Sequence, residues 1–134
     1  MATPARIEQF TLLAVAALHL VSQLTHAYSH IAADVPIPAI HQAYIVIVVT
    51  LMPLVAVYLS FRGRVRLGAA LFAASMCAAF AFGYLLHFVI DTPDLHSNVI
   101  GDSAGVFFHS ALGLALIEFV GFAVGLVSWA RLRR

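Results

Sequence analysis

Read for the alternation of apolar and polar positions, the chain resolves into four long apolar runs separated by three short polar breaks. The runs cover about Ile7 to Ser29, Ala39 to Phe61, Leu67 to Ile90 and Ala104 to Trp129. Each has roughly the 20 residues that a helix needs to cross a hydrocarbon core. Pro36 and Pro38 end the first run, because a proline lacks the amide proton that would continue a helix. Pro53 lies inside the second, which predicts a kink there, with the freed carbonyl satisfied by a neighbouring helix or by Thr50. The third run is rich in alanine, and the fourth carries Gly113, Gly121 and Gly125. Small residues at such positions let helix backbones approach closely. The expected fold is therefore all-α: an integral membrane four-helix bundle forming one domain over residues 1–134.

Composition supports this. The chain is 63% apolar and 10% charged, with a mean hydropathy of +1.00, outside the range of soluble globular domains. The first run is too interrupted by His19, Ser22 and Gln23 to suit a signal peptide, so we expect a retained helix. The lone Cys77 forms no disulfide within the chain and reads as a small apolar filler. All seven basic residues are arginines: Arg6, then Arg62, Arg64 and Arg66, then Arg131, Arg133 and Arg134. With four crossings these fall on one side, and the positive-inside rule places both termini in the cytoplasm. The arginines flank apolar spans and form no stripe interleaved with aromatics, so nucleic acid is not an expected partner. A lipid bilayer is, together with other membrane subunits or further copies of the chain.

The chemistry-bearing residues collect at the opposite ends of the spans. On the first, His19, Gln23, His26 and His30 are spaced by four, three and four residues and share one stripe. Polar groups facing lipid are costly, so the stripe should face the bundle interior. On the third, Phe80, Tyr84, His87 and Asp91 make a similar stripe. His41 and Tyr44 open the second span, while His109 opens the fourth and Glu118 lies deeper in it. His19 and Glu118 both fall near mid-membrane, where an unpaired charge costs about 3 kcal/mol or more, and they are natural partners. Tyr44, Tyr84, Phe107 and Phe108 read as interface-belt aromatics. Asp102-Ser103 stands where an N-cap of the fourth helix belongs.

The segment from Asp91 to His109 holds three of the four aspartates and two of the seven histidines. Imidazole with carboxylate suits borderline ions such as copper, zinc or iron. His96, Asp102 and His109 give H-x5-D-x6-H where a loop enters a helix, and the last helix ends Ser-Trp-Ala-Arg-Leu. Residues 83–134 thereby resemble the metal-binding part of the C subunit of the copper-dependent particulate methane and ammonia monooxygenases. The resemblance implies copper held by Asp91, His96 and His109, with Asp102 in the intervening loop, and a role as a subunit or compact relative of such an oxidoreductase. Asp91 stands one residue further from His96 than that pattern has it, and Asp94 is a rival ligand. His26, His30 and His87 are expected nearby as further metal ligands. Two alternatives are a b-type cytochrome or quinone-linked anchor, in which His26 or His19 pairs with His87 or His109 across haem b, and a noncatalytic subunit of a membrane complex.

Overall fold

The computed structural model describes residues 4–132, so Arg133 and Arg134 lie outside the described residues. Four helices long and apolar enough to cross a membrane run up and down as a bundle. They are α1 (Pro4–Ala32), α2 (Ala39–Phe61), α3 (Val65–Phe88) and α4 (Ala104–Arg131). The apolar runs set these limits, α1 continuing three residues beyond the expected span at each end and α4 two residues beyond its expected C-terminal end. Gly63, with φ of 83°, makes the tight turn between α2 and α3 in a region open to glycine without strain.

The first helix stops where Asp34 takes a φ of 54° and the chain enters the Pro36 to Pro38 stretch. Within α2 the expected disturbance at Pro53 takes a defined form, a π-helical segment over Ile45–Leu51. The Thr50 hydroxyl donates to the Ile45 carbonyl at 3.0 Å, and the Gln23 amide of α1 donates to Thr50 at 2.7 Å. Local widening of a helix is thus held by a side chain of its own and one from the neighbour, as an apolar surrounding requires.

Packing is uneven along the bundle axis. α4 lies against both α1 and α3, and α2 lies chiefly on α3. At the arginine-bearing end the core is dense, with Leu12, Ala16, Ala56, Ala69, Phe72 and Met76 all buried. Close approach there depends on two glycines. A Cβ on Gly125 would meet the Ala73 backbone nitrogen at 2.7 Å, and one on Gly68 would collide with Ser60. Glu8 is buried at this end, accepting a hydrogen bond from Ser128 and facing Arg131 at 3.4 Å, which ties α1 to α4. Toward the other end the first turns of α2 bury no residue, and a cavity of about 100 Å³ opens in the bundle. Outward surfaces carry apolar side chains such as Leu18, Leu24, Val46, Leu116 and Phe119, a composition compatible with contact with lipid.

Cys77 is exposed on the outer surface of α3 and fills no gap in the interior. Tyr84 is likewise exposed, stacked on Phe80, while His87 is buried. The predicted stripe on α3 is therefore divided between two faces.

Candidate metal centre

His26 and His30 lie one turn apart near the end of α1, and His87 lies near the end of α3. All three are buried. The Nε2 atoms of His26 and His87 are 3.0 Å apart, and those of His30 and His26 are 3.2 Å apart. Among the described residues these form a group of three metal-ligand atoms, each within 4.8 Å of the others.

The protons on these rings can be placed by counting. His87 Nδ1 faces the Asp94 carbonyl at 3.0 Å, and His30 Nδ1 faces the Val35 carbonyl at 3.4 Å. A carbonyl only accepts, so both Nδ1 atoms carry the proton. His26 Nδ1 faces two hydroxyls, Ser110 at 3.0 Å and Ser29 at 3.2 Å. Ser29 donates to the His26 carbonyl at 2.7 Å. Ser110 has acceptors in Ser29 at 2.9 Å and the Phe107 carbonyl at 3.0 Å. Where the Ser110 proton goes to Ser29 or to the Phe107 carbonyl, His26 Nδ1 is also a donor. Three neutral imidazoles in this tautomer turn three bare Nε2 lone pairs toward one another.

Lone pairs in that arrangement repel unless a cation lies between them. The spacing suits one: three nitrogens bound at 2.0–2.1 Å to a tetrahedral ion stand about 3.3 Å apart. Hydrogen bonds from the remote nitrogen to carbonyl or hydroxyl oxygens are the usual way of fixing ligand orientation and raising basicity. Here they come from the loop after α1, the loop after α3, and the start of α4. Phe107 completes the surround. It is fully buried, with its ring centroid 5.3, 4.9 and 5.5 Å from those of His26, His30 and His87. The expectation of an interface-belt role for Phe107 is corrected by this packing: it is an apolar wall of the histidine cluster.

The structure brings His26, His30 and His87 together and leaves Asp91, His96 and His109 outside the group. The carbonyl of His87, near the end of α3, accepts from both the backbone amide of His96 at 3.0 Å and its Nδ1 at 2.9 Å. His96 thereby satisfies a helix-end carbonyl that has no partner within the helix. His109 is exposed, with Nδ1 donating to the Gly105 carbonyl at 2.7 Å. Asp91 is exposed and accepts from Asn98 at 2.8 Å. Ser103 occupies the expected N-cap position of α4 but makes no side-chain cap. Its hydroxyl donates to the Ala32 carbonyl at 2.9 Å instead, fastening the start of α4 to the end of α1.

Asp94, the rival ligand, is buried beside the cluster and lines the same cavity, with Oδ1 lacking a protein partner. Deeper in the bundle, His19 Nε2 and Glu118 Oε1 meet at 3.4 Å, both buried, as their shared depth predicted. The haem alternative needs two imidazoles on opposite sides of an iron with a macrocycle between them. His26 and His87, in contact through their Nε2 atoms, do not form such a pair.

No protein-family model matches this chain, and comparisons with characterised proteins and with solved structures gave no significant match. The monooxygenase resemblance over residues 83–134 therefore rests on the quoted residues themselves.

Proposed function

We propose that this chain is a multi-pass membrane protein that binds one borderline divalent transition-metal ion through His26, His30 and His87, with copper and zinc as the fitting ions. The observation that carries this reading is the convergence of three buried Nε2 atoms, two of them on rings whose Nδ1 faces a carbonyl. An all-imidazole donor set without thiolate or thioether disfavours a soft cuprous transfer site and suits Cu(II) or Zn(II). Three protein ligands leave a fourth position for water or substrate, the pattern of a site that does chemistry more than one that only braces a fold.

Metal analysis of the purified protein after loading with Cu²⁺ or Zn²⁺ and desalting should give one ion per chain. His87→Ala should abolish it, and His109→Ala should leave it intact. Full loading of the His87→Ala variant sinks the assignment. The ligands implied by the monooxygenase resemblance, Asp91, His96 and His109, make a different forecast: a second ion per chain, lost in His109→Ala.

A further inference from the structure

The cavity has the histidine cluster at one end and Glu118 at the other, with Gln23, His41 and Asp94 also in its wall. These last three residues each carry a buried polar atom with no protein partner: Gln23 Oε1, His41 Nδ1 and Asp94 Oδ1. The Gln23 orientation follows from its neighbour. Thr50 has given its proton to the Ile45 carbonyl, so the Gln23 amide nitrogen must be the group facing Thr50. Its oxygen is left without a partner. Buried polar groups are almost always satisfied, by water where protein does not serve. A cavity of this size, with three such groups in its wall, has the room and the polar partners for several waters.

Charge supplies the second strand. A divalent ion held by neutral imidazoles brings two positive charges into an apolar region. Asp94 provides one negative charge beside it. Among the described residues the only other carboxylate in the cavity wall is Glu118. Glu118 is paired with His19, and a pair that holds one proton before loading is neutral as a whole, as carboxylic acid with imidazole or as carboxylate with imidazolium. Resting on the metal reading above, we infer that the Glu118–His19 pair is a proton-binding site coupled to the metal, giving up one proton when the ion enters.

The balance is simple. One divalent ion enters, the pair loses one proton, and the pair is left as Glu118 carboxylate with neutral His19. No electron moves. The cavity, with the unpartnered polar atoms of Gln23, His41 and Asp94 in its wall, gives the proton a polar route away from the pair. The groups that face Glu118 are accounted for. His19 comes from α1 and Tyr44 from α2, Tyr44 within electrostatic reach and donating to the Ala78 carbonyl at 3.1 Å, while His41 of α2 shares the cavity wall. α3 presents Gly83, on which a Cβ would lie 3.7 Å from Glu118 Oε2.

The depth sets the size of the effect. His19 is seven residues before His26, so the pair lies about 10 Å from the cluster along α1. With Asp94 offsetting one of the ion's two charges, one net charge acting on one at that distance, with the effective permittivity usual for protein interiors, changes affinity by up to roughly tenfold.

The test titrates the full-length protein in detergent with Zn²⁺, which is redox-inert, by calorimetry in two buffers of different ionisation enthalpy. Glu118→Gln should release one proton fewer per ion than the unaltered protein and bind zinc more weakly, by up to roughly tenfold. An unchanged proton count and affinity in a variant that still takes up zinc overturns this inference alone. Absence of uptake by the unaltered protein overturns the metal reading with it. Should Glu118→Gln fail to fold, infrared difference spectra of the unaltered protein decide the matter. Zinc should remove the signature of either a protonated carboxyl or an imidazolium, and loss of neither refutes the coupling.

Discussion

Ser110 decides, with one hydroxyl, which nitrogen of His26 keeps its proton. Its oxygen lies 3.0 Å from His26 Nδ1, and where it accepts from that nitrogen the ring is fixed with Nε2 bare and directed at His30 and His87. Ser110→Ala leaves only Ser29, at 3.2 Å. Loss of such an outer contact typically costs 10- to 100-fold in metal affinity. Competition against a chromophoric chelator should show a fall of that order at unchanged stoichiometry. Residues of this kind are hard to find in a sequence. The pair His26 and His30 is legible, because a spacing of four puts both rings on one helical face. Phe107 and Ser110 are not, since the face they present depends on how α4 rotates against α1. The dense Asp91 to His109 segment misleads for a related reason: nearness along the chain fixes no direction, and His96 turns back to the end of α3.

At the scale of single helices, close contact between α3 and α4 depends on what is missing at position 125. Gly125→Val puts a Cβ at 2.7 Å from the Ala73 nitrogen, so the helices must part or bend. Overpacking of this sort costs about 1–3 kcal/mol. Gly113 has nothing within 4 Å of such an atom, and Gly113→Ala should be neutral or mildly stabilising, since alanine favours a helix over glycine. Comparing the two variants by thermal unfolding in the same detergent separates crowding from helix propensity. An equal effect of both would refute the role given to Gly125. The glycines were visible in the sequence as small residues, but which of them touch was not. Likewise Pro53 announced a disturbance in α2, whereas a π-helical turn ahead of it, braced by Thr50 and Gln23, required the neighbouring helix to be in place.

For the whole molecule, the four spans were legible because hydrocarbon thickness imposes both length and apolarity, and both are read directly from composition. The uneven packing along the bundle was not, because it arises from pairings between helices distant in sequence. Metal bound at the cluster would fasten α1 to α3 at the loosely packed end. A ligand present at 100 times its dissociation constant stabilises the folded state by about 2.7 kcal/mol. Zn²⁺ at that excess should therefore raise the unfolding temperature. The gain should persist in His109→Ala and vanish in His87→Ala, and a gain retained in His87→Ala would place the ion elsewhere.

The dense half of the bundle has a consequence for traffic. Leu12, Phe72 and Met76 are fully buried, and together with Ala16, Ala56 and Ala69 they stopper the interior below Glu118. In this packing an ion held at the histidines would find the interior beyond Glu118 closed and would leave on the loosely packed side. The proposed site would then be a berth and not a corridor.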